Sequence, residues 1–275
     1  MVFSVIGGDE RMIFLADKLR ECGHKVRMCG FERHPRHIPC VSAGDALFGA
    51  EYVILPIPST KDGITVWMPY GESEVRLSDM AGAAGGKTVF FTAGVTLGAR
   101  REFDYFAREE LAVLNAVPTV EGAIGTALSS TPHTLWRSRC LSVGFGRIGK
   151  LLCHRLSSFG CSVAASSRRA EVQSWIEAYG YEHVASSMLS KRAAEYDIIF
   201  NTVPSQLLTE EVLKTLRPET LIIELASPPY GVDFEAAKRL GINAVLASGL
   251  PAKTAPKTAA DIIFDTISNI LSEQH

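Results

Sequence analysis

Short apolar runs alternate with amphipathic stretches along the whole chain. Val2–Ile6 reads as a strand, and residues 11–20 carry apolar positions at helical spacing (Met12, Leu15, Ala16, Leu19) until Cys22-Gly23 ends the helix. Strand patterns follow at 25–29, 52–55 and 88–91. After residue 130 the rhythm restarts, with strands at 140–143, 162–165, 197–200, 221–225 and 244–247 and helices at 148–159, 170–179 and 233–240. Pro118-Thr119-Val120-Glu121-Gly122 opens a helix that runs to about Ser130, and Thr131-Pro132 breaks it. The alternation predicts an α/β fold: two Rossmann-like domains with parallel sheets. The expected domains are 1–120 and 131–254, with a C-terminal helix at 257–275 returning to the first. A late helix carrying Ile262, Ile263, Ile267 and Ile270 on one side needs a surface to pack on.

Composition narrows the classes. Of 275 residues, 47% are hydrophobic, and 28 basic against 30 acidic side chains leave a net charge of −2. That balance argues against nucleic acid as a partner. No apolar run reaches the roughly 18 residues that span a bilayer, and the N-terminus lacks the pattern of a signal peptide. Six cysteines without a C-x-x-C pair predict a reduced cytosolic protein with buried thiols.

Gly144-Phe145-Gly146-Arg147-Ile148-Gly149 fits G-x-G-x-x-G between a strand and an apolar-faced helix, the context that motif requires. Gly144 allows the tight turn, Gly146 lets a pyrophosphate approach, and Gly149 lets the helix sit close to the sheet. A tight turn without a ligand is the alternative. About 20 residues on, an NAD site carries Asp or Glu for the ribose 2′-hydroxyl. Here Ser166-Ser167-Arg168-Arg169 stand instead, which favours NADP, unless the arginines are only a solvated helix start. Thr202-Val203-Pro204 and Ala226-Ser227, at two later strand ends, lie on the edge that faces a cofactor.

In the first domain Ile6-Gly7-Gly8-Asp9-Glu10-Arg11 is a degenerate version of the same turn, and its carboxylates would repel a pyrophosphate. Arg11 either holds an anionic substrate group or is an ordinary surface arginine. Ser59-Thr60 and Thr92-Ala93-Gly94 put small donors at strand ends, where ligands meet such sheets. His34-Pro35-Arg36-His37-Ile38-Pro39-Cys40 has metal-like spacing, but its prolines and lack of a fourth ligand favour a solvated loop, and no metal is expected. His133 reads as a surface histidine.

Val5-Ile6-Gly7-Gly8-Asp9 with Arg11, Pro118–Gly122, Asn201–Ser205, Leu225-Ala226-Ser227, Gly249-Leu250-Pro251 and Ala255-Pro256-Lys257-Thr258-Ala259 together resemble the A-subunit family of bacterial dipicolinate synthase. Where that family has a Gly-Gly pair this chain has Tyr230-Gly231, and two further family glycines are Ala252 and Ala260. The resemblance implies a fold like that of D-2-hydroxyacid dehydrogenases and NADP-dependent oxidation of dihydrodipicolinate to dipicolinate. It also implies a flavoprotein-like B-subunit of dipicolinate synthase as partner, and the mother-cell cytoplasm of a sporulating bacterium. A homodimer is expected. Two substrate carboxylates need two anion sites; Arg11 and Lys257 are the charged candidates, with Ser59, Thr60 and Thr92 as donors. Glu121 is the candidate proton acceptor, or else a first-turn carboxylate that favours its helix dipole. Thr119 is a candidate substrate contact, or equally a helix cap. A D-2-hydroxyacid dehydrogenase proper would need an arginine where Ala226-Ser227-Pro228 stand and a late Glu/His pair; the only histidine after His183 is His275. A non-catalytic NADP-binding protein is the other alternative.

Overall fold

A computed structural model describes residues 1–274. The chain forms two compact units, Met1–Asn115 together with Pro251 onward, and Ala116–Leu250. The first unit contains β1 (Val2–Ile6), α1 (Glu10–Glu21), β2 (Lys25–Cys29), α2 (Ala43–Leu47), β3 (Tyr52–Ile54), α3 (Leu77–Ala83), β4 (Val89–Thr92), β5 (Glu102–Asp104) and α4 (Glu109–Leu114). The second opens with α5 (Ala116–Ser130), β6 (Arg139–Val143), α6 (Arg147–Ser158), β7 (Ser162–Ser167), α7 (Ala170–Ala178) and β8 (Glu182–Ala185). It continues with α8 (Leu189–Arg192), β9 (Ile198–Asn201), α9 (Glu210–Leu213), β10 (Leu221–Glu224), α10 (Phe234–Leu240) and β11 (Asn243–Leu246). The last helices are α11 (Leu250–Thr254) and α12 (Pro256–Ser272).

Both sheets are wholly parallel, as the alternation of elements predicts. Their strand orders are β2-β1-β3-β4-β5 and β11-β10-β9-β6-β7-β8. Helices cover both faces of such sheets, so the central strands are apolar on each side: β4, β9 and β10 are buried at every position. The winding direction reverses between β1 and β3 in one sheet and between β6 and β9 in the other. Those are the places where strand ends leave a crevice for a ligand.

The boundary between units falls at residue 116, not 120. Val120, Ala123, Ile124 and Ala127 of α5 are buried with Leu152 of α6 and Ile223 of β10, so this helix belongs to the second unit. Helix α12 belongs to the first, where Ala260, Ile263, Ile267 and Ile270 pack with Phe3, Met12, Leu15 and Leu19. The expected end of that helix, His275, lies outside the described residues. Strands β5 and β8 were not legible as apolar runs, because short edge strands with charged ends carry no such run.

Residues 109–130 correct the expectation that no apolar stretch is long enough to cross a membrane. By length and hydropathy this helical stretch would suffice, and 44% of its apolar window is buried inside the protein. Of the cysteines, Cys29, Cys140 and Cys153 are buried, Cys40 and Cys161 are half-buried and Cys22 is exposed, so burial of all six does not hold. Burial pushes the Cys29 thiol up to about 11 and the Cys153 thiol up to about 12, which keeps both protonated at neutral pH.

The α1–α12 packing gives a first test. Ile263→Ala removes a side chain that is 2% exposed and is expected to cost about 3 kcal/mol. Asp261→Ala removes one end of an exposed pair with Lys18 at 4.0 Å and is expected to change stability by about 0.5 kcal/mol or less. Urea denaturation of both variants measures the difference.

Candidate functional site

The turn after β6 assigns a separate physical role to each of its glycines. Gly144 has φ +101°, and a Cβ there would lie 2.5 Å from Thr202 Oγ1 and 2.6 Å from Val203 Cγ2. At Gly149 a Cβ would run into the Gly144 carbonyl oxygen and lie 3.2 Å from Ser142 Oγ. Gly146 differs: a Cβ there meets nothing within 4 Å. It is the N-cap of α6, no side chain caps that helix, and its first turn contains no acidic residue. An uncapped helix start beside open space suits an anionic group such as a pyrophosphate.

Two residues of this turn do not present their side chains to a ligand. Phe145 is buried with Cys153, Ala165 and Ile176, and Tyr179 and Tyr181 meet its ring edge-on at 6.0 and 6.2 Å. Ile148 packs against the cluster of Leu152 and Cys140. Both were expected to contact a cofactor; only their backbone stands at the turn, because their apolar side chains fill the core. Arg147 is exposed at the helix start.

At the end of β7 the Ser166 hydroxyl is buried and has no hydrogen-bond partner among the described residues, so this candidate contact is inside the fold; its carbonyl accepts Gly144 N–H at 3.2 Å. Ser167 Oγ accepts Arg169 N–H at 3.1 Å. Arg169 pairs with Glu171 at 2.8 Å, both side chains well exposed, and such a pair contributes about 1 kcal/mol or less. Arg168 is exposed and makes no ion pair among the described residues. No carboxylate ends this strand.

Strands β9 and β10 end in register at Asn201 and Glu224. Two equal apolar runs, each closing on a polar residue, are the sequence signal for this pair, whose role the sequence reading missed. Glu224 is fully buried. Its Oε1 accepts Asn201 Nδ2–H at 2.7 Å and Ala226 N–H at 2.9 Å. Its Oε2 accepts Gly231 N–H at 2.8 Å and Val232 N–H at 3.0 Å. Asn201 Nδ2 also donates to Val203 O at 3.0 Å, and Asn201 Oδ1 accepts Val203 N–H at 3.3 Å. The Thr202 hydroxyl donates to Val143 O at 3.0 Å, so this candidate contact is tied to β6. Pro204 and Ser227 are exposed and Ala226 is buried. Tyr230 has φ +64°, a conformation that costs a side chain about 1 kcal/mol or more.

Two of the three hydroxyl candidates of the first unit, Ser59 and Thr60, are already engaged. Ser59 Oγ donates to Pro56 O at 3.2 Å and accepts Ala93 N–H at 2.8 Å, which ties the β3 and β4 ends together. Thr60 Oγ1 donates to Asp62 at 2.9 Å and accepts Gly63 N–H at 3.0 Å. The backbone N–H groups of Thr65 and Ile64, with the Thr65 and Thr60 hydroxyls, hold the Asp62 carboxyl well below the usual carboxylate range. The Thr92 hydroxyl is buried without a hydrogen-bond partner among the described residues. Gly94, at φ +74°, is open where a Cβ would be, and its N–H reaches Asp104 only at 3.3 Å.

Arg11 is not a surface arginine and not a free cation. Its Nε and Nη2 hold the Asp9 carboxylate at 2.9 and 2.8 Å, and Nη2 reaches Ile57 O at 2.5 Å. Only Nη1 holds no hydrogen bond among the described residues. The glycines beside it are filled by the protein: a Cβ on Gly7 would meet Met68 at 2.6 Å, and one on Gly8 would meet Met12 at 2.5 Å and Pro56 at 2.6 Å. His34 corrects the solvated-loop reading, being 3% exposed. Its Nε2 faces Glu10 at 2.5 Å, its Nδ1 accepts Arg36 N–H at 3.2 Å, and Tyr70 stands edge-on at 4.6 Å. Both ring nitrogens are thus engaged within the protein.

Thr119 is half-buried and Glu121 is exposed on α5. Because α5 starts at Ala116, Glu121 sits in the second turn, so the helix-dipole alternative for it is weakened. Lys257 is exposed in the first turn of α12. Within its own unit, neither Glu121 nor Lys257 is joined to another candidate by a hydrogen bond or ion pair among the described residues.

Residues 2–103 match the family described as the N-terminal domain of the dipicolinate synthase A-subunit, and residues 120–229 match the D-isomer specific 2-hydroxyacid dehydrogenase NAD-binding domain. The A-subunit of dipicolinate synthase from Bacillus subtilis (strain 168) is 30% identical over 98% of this chain and 95% of that protein. The crystal structure of the same A-subunit from Bacillus halodurans has a TM-score of 0.87 at 26% identity, covering 98% of this chain and 97% of that one. The D-lactate dehydrogenase of Salmonella is 16% identical with a TM-score of 0.64, covering 98% of this chain and 96% of that one, a likeness of fold. The second unit is therefore a nicotinamide-dinucleotide domain of the dehydrogenase type. Its residue after β10 is Leu225, followed by Ala226, with no arginine.

The glycines separate packing from binding. Gly149→Ala is expected to cost about 2 kcal/mol, because the atom it strikes is backbone. Gly146→Ala is expected to cost about 1 kcal/mol or less yet to weaken dinucleotide binding. Denaturation and a dinucleotide titration of each variant check this; the reverse ranking in stability would contradict it.

Proposed function

The chain belongs to the A-subunit family of dipicolinate synthase, and on that footing we propose that it oxidises dihydrodipicolinate to dipicolinate with NADP. The observation that carries the reading is the contrast between the chain's two glycine turns. Gly7 and Gly8 are filled by Met68, Met12 and Pro56, whereas Gly146 faces open space at an uncapped helix start. The residues that would hold the dinucleotide are the backbone of 144–149, Ser167, Arg168 and Arg169, with Val203, Pro204 and Ser227 along the strand ends. NADP in preference to NAD rests on Arg168, a solvent-facing cation without an ion pair among the described residues, at a strand end that has no carboxylate to repel a 2′-phosphate.

When bound, NADP supplies a two-electron hydride acceptor. The chain's own part is to bind and orient the ring and to accept a proton. Oxidation removes one hydride and one proton, and aromatisation supplies driving force, so orientation carries much of the catalysis. Glu121 is the assigned proton acceptor. Lys257, the Gly94 N–H and the free Nη1 edge of Arg11 are the assigned carboxylate contacts, and Thr119 of α5 is a further assigned substrate contact. Arg11 serves only in part, since Asp9 neutralises its charge. The protein works as a homodimer with the flavoprotein-like B-subunit, in the mother cell of a sporulating bacterium.

Purified protein mixed with dihydrodipicolinate and NADP, with and without the B-subunit, is expected to yield reduced nicotinamide absorbance and dipicolinate. Neither product under either condition would remove the enzymatic reading. Arg168→Ala is expected to weaken NADP binding by about tenfold or more while leaving NAD within about twofold. Equal losses would show that this arginine does not read the phosphate.

A further inference from the structure

Glu224 presents an energetic question that the fold alone does not answer. A fully buried carboxylate is costly, and no cation pairs with it among the described residues; four N–H donors offset the cost instead. An apolar side chain in a well-packed core frequently serves stability as well as a buried polar network does. The four donors come from places that matter. One is the Asn201 amide, and three are backbone groups of the segment after β10, at Ala226, Gly231 and Val232. That segment therefore wraps around a single carboxylate.

The chain of contacts continues to the glycine turn. The Asn201 amide nitrogen and oxygen also bind the Val203 backbone, and Val203 Cγ2 is the group that would lie 2.6 Å from a Cβ on Gly144. Gly231 closes the arrangement from the other side. A Cβ there would strike Asn201 Nδ2 and come within 2.7 Å of Val203 O, while the Gly231 carbonyl accepts Leu207 N–H at 3.1 Å and Leu208 N–H at 2.9 Å. Both segments thus take their positions from one buried pair, one strand removed from the place where the second sheet reverses its winding.

We propose that Asn201 and Glu224 are positioning residues for the dinucleotide. The buried pair holds segments 202–205 and 225–231 beside the glycine turn, so that the cofactor meets a preformed edge. This inference rests on the NADP reading above. It predicts a defect that falls on the cofactor more than on the dicarboxylate. Glu224→Gln keeps size and shape but turns one acceptor oxygen into a donor, which then faces two N–H groups.

The test titrates NADPH by its fluorescence against wild type and Glu224→Gln, with Tm measured without cofactor and with KM and kcat for both substrates. The expected result is a Kd for NADPH and a KM for NADP raised about tenfold or more, as for a site displaced by a fraction of an ångström. The KM for the dicarboxylate and the kcat at saturating NADP stay within about threefold of wild type. A folded Glu224→Gln with a lowered Tm and an unchanged Kd would overturn the proposal, since that is the signature of a purely structural role. If Glu224→Gln does not fold, Asn201→Ala leaves the carboxylate three of its four donors and is read in the same way; an unchanged Kd overturns the proposal. Wild type that binds no NADPH would overturn the NADP reading and this inference together, whereas wild type that binds with unaffected variants overturns the inference alone.

Discussion

The first turn of α6 can approach the end of β6 only because Gly149 has no side chain: a Cβ there would run into the carbonyl of Gly144. That close approach decides the geometry of everything at this edge. It brings an uncapped helix start to the end of the strand, with its partial positive charge aimed past Gly146. Beside it Gly144 takes a left-handed turn that fits against Thr202 and Val203, which couples the turn to the end of β9. A chain with any other residue at 149 would have to move the helix away from the sheet.

The two units show how one architecture is turned to two uses. Each has a strand, a glycine turn and a helix at its first βα connection. In the first unit the turn is closed by side chains from Met12, Pro56 and Met68, and the helix start is capped by Asp9 with Glu10 in its first turn. Those carboxylates are in turn held by Arg11 and His34. The helix start is thereby capped within the protein, and among the described residues only the Nη1 edge of Arg11 is left there for an anionic group. At the turn of the second unit Gly146 meets no such filling, and no side chain caps the helix.

Much of this was legible in the sequence because it depends on local rules. Central strands buried on both faces appear as continuous apolar runs, and a glycine turn needs glycines at fixed spacing. What was not legible depends on which distant group answers a polar side chain. Ser59 and Thr60 look like ligand donors until Ala93 and Asp62 are placed beside them. Arg11 looks exposed until the carbonyl of Ile57 reaches it. His34 sits among prolines that suggest a solvated loop, yet Glu10 and Tyr70 enclose it. The Asn201–Glu224 pair becomes visible only when the register of β9 against β10 is known.

A phosphorylated dinucleotide seated on the turn at 144–149 would shield the amides of that turn from solvent. Amide hydrogen exchange of the full chain, with and without saturating NADP, measures that shielding. The expected result is slower exchange at the amides of 146–149 and in the segment 167–169, with the Gly7-Gly8 turn unchanged. Protection at the first turn, or none at the second, would contradict it.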